Sequence, residues 1–235
     1  MKKLSIIVPC YNEQQTVEAL VYKVANAKIP VAEKEIIVVD DCSTDGTWKI
    51  LENIKNKGLG NVGFKLQKHQ QNSGKGFAIR TGISLAEGDI IIIQDADMEY
   101  DPNEYSKIIE PIVTNKADVV YGTRFPKQLG FKNFSIHLFG NKMLTLMSNM
   151  FSGLKLTDME TCYKAFRSEI IKKIKLESNR FGFEPEVTAK ISKLKIRIIE
   201  VPISYAGRKY SEGKKIGFKD AIDTAWCIIR YNVLD

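Results

Sequence analysis

The chain has 235 residues, of which 44% are hydrophobic, 27% charged and 9% aromatic, a composition that excludes collagen-like, low-complexity and disordered proteins. Lysine and arginine number 35 against 28 acidic residues, and the formal net charge of +7 favours an anionic partner such as a phosphate compound, a lipid surface or nucleic acid. The four cysteines lie far apart in the sequence, which argues against a zinc ribbon or a disulfide scaffold and fits buried thiols in a reducing compartment.

The first half of the chain alternates strand and helix patterns. Short β-branched runs predict strands at 4–8, 35–39, 64–67 and 89–94, and apolar residues at helical spacing predict helices after Asn12, over 45–55 and over 76–86. Asn12 is the predicted N-cap of the first helix, with Gln15 at the capping-box position. Because β-α units repeat, we expect an α/β fold with a mostly parallel central sheet, helices on both faces and a ligand site at the carboxyl ends of the strands.

The second half is less regular, with predicted strands at 118–121, 162–166 and 196–201 and predicted helices at 135–151 and 218–233. The two helices are rich in large apolar residues, so they are either interfacial helices that contact a lipid surface or ordinary core helices. No linker divides the chain, and we treat 1–235 as a single domain. No apolar run reaches the roughly 18 residues of a membrane span, so we expect a cytoplasmic protein that is at most peripherally attached to a membrane.

An acidic motif follows the apolar strand 89–94. If the extended backbone persists, the side chains of Asp95, Asp97 and Glu99 share one face, and three carboxylates on one face repel each other unless a cation lies among them. Hard oxygen ligands suit Mg²⁺ or Mn²⁺. The motif therefore predicts metal ligands at Asp95 and Asp97. Glu99 is left open between a metal ligand and an exposed acidic turn, and Asp101 is the predicted cap of the next helix.

Three further loops leave strands at the same predicted edge. Asp40 and Asp41 follow the second strand and can accept hydrogen bonds from a base or a ribose, while Thr44 or Asp45 caps the helix after them. Residues 9–13 leave the first strand and offer a tyrosine ring beside a base. Residues 72–76 resemble the tail of a P-loop but lack the Ser or Thr that would bind Mg²⁺, so they are not an ATPase loop. A Gly-Lys-Gly sequence at the start of a helix nevertheless suits a nearby phosphate, which makes Lys75 a candidate donor contact.

Taken in order, these motifs carry a resemblance. Val8-Pro-Cys-Tyr-Asn-Glu13, Val39-Asp-Asp-Cys-Ser-Thr-Asp-Gly46, Asn72-Ser-Gly-Lys-Gly76 and Asp95-Ala-Asp97 are similar to the motifs of family 2 glycosyltransferases. The similarity continues through Gly122-Thr-Arg124, Thr157-Asp158, Phe181-Gly-Phe-Glu-Pro-Glu186 and Val201-Pro-Ile-Ser-Tyr-Ala-Gly-Arg208. Together they most resemble the dolichol-phosphate (polyprenyl-phosphate) mannosyl- and glucosyltransferase branch.

The resemblance implies a GT-A fold, Rossmann-like in its nucleotide-sugar-binding half (1–122), with an acceptor-binding half at 123–235. It also implies a UDP- or GDP-hexose donor, a divalent metal and inversion of the anomeric carbon. Asp95 and Asp97 would serve the metal and the diphosphate, and Glu99 stands where the branch commonly has a Gln that completes the metal coordination. The nucleoside would be held by Pro9, Tyr11, Glu13, Asp40 and Asp41. The branch's usual His-Pro-Pro is Tyr100-Asp101-Pro102 here.

The acceptor decides which further groups are needed. A phosphate monoester, with a second pKa of about 6, is already anionic at neutral pH and needs cationic positioning, for which Arg124 and Arg208 are the candidates. Lys209, Lys214 and Lys215 are cationic alternatives or parts of a solvated loop. A sugar hydroxyl would instead need a base, for which Glu184 and Glu186 are candidates, although both also fit acids in a first helical turn.

The leading hypothesis is therefore transfer of mannose or glucose to a polyprenyl (dolichyl or undecaprenyl) phosphate. Transfer to a saccharide hydroxyl is the alternative, and a non-catalytic nucleotide-binding subunit is the third hypothesis. Nucleic acid is not an expected partner, because the basic residues are scattered and the sequence has no RNP, helix-turn-helix or zinc pattern.

Overall fold

The computed structural model describes residues 2–125, 136–207 and 218–234. Within these residues, seven strands form one sheet in the order β3-β2-β1-β4-β6-β5-β7. The strands are β1 (Lys3–Cys10), β2 (Glu33–Asp40), β3 (Gly63–Lys68), β4 (Ile90–Ile93), β5 (Val119–Thr123), β6 (Lys164–Arg167) and β7 (Ile198–Pro202). Strand β6 runs antiparallel to both of its neighbours and the other pairings are parallel, which confirms the expected mostly parallel sheet.

The helices alternate with the strands along the chain. They are α1 (Val17–Asn26), α2 (Thr47–Lys57), α3 (Lys75–Leu85), α4 (Tyr105–Val113), α5 (Ile136–Ser152), α6 (Ser168–Ile171), α7 (Phe183–Ser192) and α8 (Phe218–Ile229). A 3₁₀ turn, Pro102–Glu104, precedes α4, and a π-helical turn, Arg230–Leu234, follows α8. None of the helices among the described residues is both long and apolar enough to cross a bilayer.

Helices cover both faces of the sheet because successive strand residues point to opposite sides. Ile6 and Val8 of β1 belong to a core that α1, α2 and α4 complete, whereas Ile7 belongs to a second core that contains residues of α3 and α7. The central strand β4 contributes to both cores and is buried throughout. This two-sided burial explains its uninterrupted run of isoleucines.

The predicted capping role of Asn12 is wrong. Helix α1 begins at Val17, after a turn in which Glu13 O accepts hydrogen bonds from the Thr16 and Val17 N–H groups. Asn12 adopts a left-handed backbone conformation (φ 54°), and its Oδ1 accepts a hydrogen bond of 2.8 Å from the Thr44 N–H. Asn12 therefore joins the loop after β1 to the loop after β2.

Candidate active site

The loops that follow β1 and β2 are joined at the carboxyl ends of these strands. The Asn12 N–H donates to Ser43 Oγ (2.9 Å), and the Glu13 N–H donates to Thr47 Oγ1 (2.9 Å). The Gly46 N–H donates to Gln14 Oε1 at 2.9 Å. The two loops that carry the predicted nucleoside-binding residues therefore form one hydrogen-bonded unit.

Within this unit the predicted nucleoside residues differ in burial. Pro9 is buried inside β1 and pairs with Val39, and Asp40 is buried at the end of β2. Both Oδ atoms of Asp40 accept hydrogen bonds from Ser43. Glu13 is buried and accepts from Thr16 Oγ1, and Tyr11 is partly exposed. The structure thus gathers these residues at the expected edge, while their contact with a nucleoside remains a prediction.

The carboxylate of Asp41 lies at the N-terminus of α3. Its Oδ1 accepts from the Ser73 N–H (3.0 Å), its Oδ2 from the Gly74 N–H (2.6 Å), and His69 Nδ1 lies 2.7 Å from Oδ1. Backbone N–H groups and the helix dipole favour an anion at this position. The helix start that we expected beside a phosphate therefore already holds an anion, which is a carboxylate of the chain itself.

The two glycines of the Gly-Lys-Gly sequence are explained by packing. Gly74 has φ +97°, and a Cβ there would lie 2.4 Å from the carbonyl oxygen of Asn179. A Cβ on Gly76 would lie 2.3 Å from the carbonyl oxygen of Ser178, and the Gly76 N–H donates to Arg180 O at 3.2 Å. The first turn of α3 is thus pressed against the backbone of residues 178–180, so this motif joins the two halves of the chain.

Lys75 projects from this turn into a cluster of charged groups. Its Nζ lies 3.0 Å from Asp95 Oδ1 and 3.0 Å from Glu184 Oε1, and it also contacts Cys162 Sγ. Burial alone would lower the pKa of Lys75, but the charge of Asp95 and its neighbours raises that pKa well above its usual value. Lys75 is therefore an ammonium ion shared between two carboxylates.

Glu184 lies in the first turn of α7 with only 4% of its surface exposed. Burial by itself would raise the pKa of Glu184, but the ammonium groups of Lys75 and Lys164 lower it. Its Oε1 also accepts from Cys162 Sγ at 3.2 Å. Burial raises the pKa of the Cys162 thiol well above its usual value, and the charge of Asp95 adds to this effect. The cluster therefore contains a neutral thiol beside a carboxylate and an ammonium.

Glu186 has a structural role. It is fully buried, and its carboxylate accepts hydrogen bonds from the Glu177 N–H (2.6 Å), the Ser178 N–H (2.8 Å) and Lys190 Nζ (2.9 Å). These contacts join Glu186 to the loop before α7 and to Lys190 one turn later, which suits a structural acid better than a catalytic base.

The acidic motif does not continue the strand. Strand β4 ends at Ile93, and the chain turns so that Met98 has φ 65° and Asp97 Oδ1 accepts from the Glu99 N–H at 3.1 Å. The extended backbone that would place the three carboxylates on one face is therefore not present. Glu99 Oε2 instead accepts from Tyr205 Oη at 2.6 Å.

The oxygen donors of this turn nevertheless fit a divalent metal that arrives with a ligand. Asp95 and Asp97 are partly exposed at the predicted site edge. In the part of the chain that the structure describes, no three His, Cys, Asp or Glu residues are gathered into a set that could hold a metal by itself. Mg²⁺ is usually bound by one or two carboxylates together with substrate phosphates, so two carboxylates are a sufficient protein contribution.

Arg124 follows β5 and forms a buried ion pair. Its Nε donates to Asp158 Oδ2 (2.7 Å) and its Nη2 to Asp158 Oδ1 (2.8 Å), and its backbone N–H donates to Oδ2 (3.1 Å). Asp158 is completely buried. The guanidinium carbon lies 5.0 Å from the centre of the Tyr205 ring, whose hydroxyl reaches Glu99. Tyr205 thus links the Arg124 ion pair to the acidic motif.

The other predicted cations, Arg208, Lys209, Lys214 and Lys215, lie outside the described residues. Three residues of the site had no role assigned from the sequence. Asp158 and Tyr205 both lie inside motifs that carry the family resemblance, which was the available signal, whereas Cys162 is a single cysteine with no pattern around it.

Comparison with known proteins gives an independent view of the whole chain. The sequence model described as Glycosyl transferase family 2 matches residues 5–175. The chain is 30% identical over 237 residues to a UDP-N-acetylglucosamine–dolichyl-phosphate N-acetylglucosaminyltransferase of Methanococcus voltae, covering 93% of each chain. It is 28% identical to a dolichol-phosphate mannosyltransferase of Pyrococcus furiosus, over 92% of this chain and 60% of that longer protein.

The fold also matches solved structures. A crystal structure of glucosyl-3-phosphoglycerate synthase from Mycobacterium tuberculosis, in complex with Mn²⁺, UDP and glucosyl-3-phosphoglycerate, superposes with a TM-score of 0.70. The match covers 98% of this chain and 80% of that chain at 16% sequence identity, a level at which the match is evidence for the fold alone. The expected GT-A architecture is thereby confirmed.

Proposed function

The chain belongs to glycosyl transferase family 2, and from that premise we propose that it transfers a hexose, mannose or glucose, from a UDP- or GDP-sugar to a polyprenyl phosphate with inversion of the anomeric carbon. The named relatives support the lipid-phosphate acceptor, because both are transferases that act on dolichyl phosphate. One of these relatives transfers N-acetylglucosamine and the other mannose, so the transferred sugar is to be identified by testing donors.

One observation favours a phosphate over a hydroxyl acceptor. The two carboxylates that we considered as bases are both engaged: Glu184 in an ion pair that lowers its pKa, and Glu186 in three hydrogen bonds. A carboxylate with a lowered pKa is a weaker proton acceptor. A phosphate monoester is already ionised near neutral pH and needs no base, so it suits these two engaged carboxylates better than a hydroxyl does.

On the donor side, Pro9, Tyr11, Glu13, Asp40 and Asp41 would surround the nucleoside. Asp95 and Asp97 would hold Mg²⁺ or Mn²⁺, which when bound supplies positive charge to the leaving diphosphate. Lys75 is the nearest ammonium to Asp95 among the contacts described above and would donate to the same diphosphate. Asp41 would also fix the loop that carries Lys75, since Ser73 and Gly74 donate to its carboxylate.

On the acceptor side, Arg124 would orient the attacking phosphate. An oxygen of that phosphate forms the new bond to the anomeric carbon as the bond from this carbon to the diphosphate breaks, and the diphosphate leaves with the electron pair. Asp158 fixes the guanidinium plane by accepting from two of its nitrogens, so the remaining N–H groups of Arg124 would point in defined directions. Arg208 would add a second cation.

A lipid-linked acceptor also needs a meeting point with the bilayer. On α5, Phe139, Met143, Leu146 and Met150 recur at helical spacing and are each at least half exposed. On α8, which packs against α5, Ile222 and Trp226 are exposed to the same degree, and Val233 and Leu234 in the following turn are exposed as well. Contiguous exposed apolar patches mark interaction sites. These side chains would rest in the interfacial region of the cytoplasmic membrane face.

Product extraction tests the proposed function. Purified protein is incubated with radiolabelled UDP- or GDP-hexose, Mg²⁺ and a polyprenyl phosphate in detergent, and label is expected to enter the organic phase. An Asp97→Asn variant and an excess of chelator are each expected to abolish that transfer. In a parallel reaction with a saccharide acceptor added, label that enters only the water-soluble glycan would instead establish a saccharide acceptor. Full turnover in the Asp97→Asn variant would contradict the donor site.

A further inference from the structure

Lys75 is anchored at its backbone from two directions. On one side, the Ser73 and Gly74 N–H groups donate to the carboxylate of Asp41. On the other, the Gly76 N–H donates to Arg180 O and the Phe77 N–H to Asn179 O. The start of α3 is therefore fixed, and only the side chain of Lys75 is free to change direction.

The head of that side chain lies between two carboxylates from different halves of the chain. Asp95 follows β4 in the donor half, and Glu184 belongs to α7, 109 residues away from Lys75 in sequence. Both carboxylates lie 3.0 Å from Nζ. One ammonium is therefore shared by two carboxylates, and it lies beside Asp95, next to the predicted diphosphate position.

We propose that Glu184 is a positioning residue that holds the Lys75 ammonium in reach of the donor diphosphate and prevents it from pairing with Asp95 alone. This inference rests on the proposed donor site, but not on the identity of the acceptor. Without the Glu184 carboxylate, Asp95 is the remaining anion in the Lys75 contacts. A Lys75–Asp95 pair would then compete with both the diphosphate and its cation, so donor affinity would fall.

The two roles of Glu184, positioning residue and general base, predict different measurements. A positioning residue changes the affinity for a nucleoside diphosphate in the absence of any acceptor. A base changes kcat with an acceptor present and leaves that affinity unaltered. Since UDP and GDP carry the diphosphate but no sugar, they isolate the interaction that the proposal concerns.

The test is a double-mutant cycle on nucleoside diphosphate affinity. Titration calorimetry with UDP and with GDP, each with Mn²⁺, is applied to the wild type, Glu184→Gln, Lys75→Met and the double variant. Glu184→Gln is expected to weaken binding about tenfold, and the double variant is expected to bind no more weakly than Lys75→Met, because Glu184 acts through Lys75. Steady-state kinetics of Glu184→Gln should show a raised donor KM with a smaller change in kcat.

Glu35→Gln is the matched control. Glu35 is a buried carboxylate with lysine partners, Lys3 and Lys65, and it lies near the amino ends of the strands, away from the site. It is expected to lower stability without changing nucleotide affinity. Unchanged affinity in Glu184→Gln, or independent effects of the two substitutions, would overturn the positioning role. A wild type that binds neither nucleotide would overturn the proposed donor site itself, which is a distinguishable result.

Discussion

Substitution of Arg124 by alanine separates the structural and functional roles of this residue. The carboxylate of Asp158 is completely buried and accepts hydrogen bonds from three nitrogens of Arg124, two of which belong to its side chain. Arg124→Ala removes those two and leaves a buried charge without its counter-ion. Breaking one side of a buried ion pair costs about 3–5 kcal/mol.

We expect the lower end of that range. The backbone N–H of Arg124 remains, and Asn141 Nδ2 lies 3.4 Å from Asp158 Oδ1, so the carboxylate keeps two donors. A loss of about 3 kcal/mol corresponds to a melting temperature lowered by roughly 6–12 °C in a domain of this size. Thermal unfolding followed by circular dichroism measures this shift.

The double variant Arg124→Ala/Asp158→Ala removes both charges and is expected to recover most of the lost stability. If Arg124 also orients an acceptor phosphate, the double variant should stay impaired in acceptor turnover while its affinity for UDP or GDP is normal. An unaltered melting temperature in Arg124→Ala would refute the buried ion pair as a stabilising element. Recovery of turnover together with stability would show that Arg124 acts only structurally.

Three other predictions concern different parts of the molecule. Burial alone would raise the pKa of Glu35, but the Ser5 hydroxyl, the Glu87 N–H and two lysines lower it from 4.5 to about 2. The ionised Glu35 carboxylate therefore stabilises the fold by about 3 kcal/mol above pH 4.5, and this stabilisation is lost as the pH falls towards 2. Denaturant titrations at pH 7 and pH 3 should show a smaller change in the free energy of unfolding for Glu35→Gln than for the wild type. Gly76→Ala should destabilise the protein, because the new Cβ would contact the Ser178 carbonyl. Gly140→Ala, where the space at this position of α5 is open, should stabilise it by up to about 1 kcal/mol; equal melting temperatures of the two variants would contradict this difference. Trp226→Ser should weaken binding to anionic vesicles, measured by co-sedimentation, by roughly tenfold. Trp48→Ser should not, because Trp48 belongs to α2 on the opposite face of the sheet; equal effects would argue against the exposed apolar residues of α5 and α8 as the membrane contact.

The order and type of most elements could be predicted from the sequence alone, because the signals are local. Apolar residues at strand or helix spacing predicted β1 and β4, and α5 ends at Ser152, one residue beyond the predicted end at 151. Parallel strands separated by helices share one carboxyl edge, so the loops with Asp40 and Asp95 were expected near each other. The family was also recognisable from the order of the motifs.

Side-chain partners required the tertiary structure. Strand β6 comes later in the chain than β4 and β5, yet it inserts between them and runs antiparallel to both. Local patterns suggested a cap at Asn12, yet its partner is Thr44 in the next loop, and no local pattern indicated that the Asp41 carboxylate accepts from the start of α3. Local spacing cannot reveal such pairings, because the competing donors and acceptors are brought together only when the chain folds.

The same distinction applies to the charged cluster. The neighbouring sequence alone suggests a metal ligand at Asp95 and an acid in a first helical turn at Glu184. Lys75 contacts both of them, although Glu184 is 109 positions away in the sequence. This contact forms because a charge buried away from water must be stabilised by a nearby opposite charge. The sequence by itself therefore determined the family, the sheet and the site edge, while the fold alone decided which charges neutralise one another.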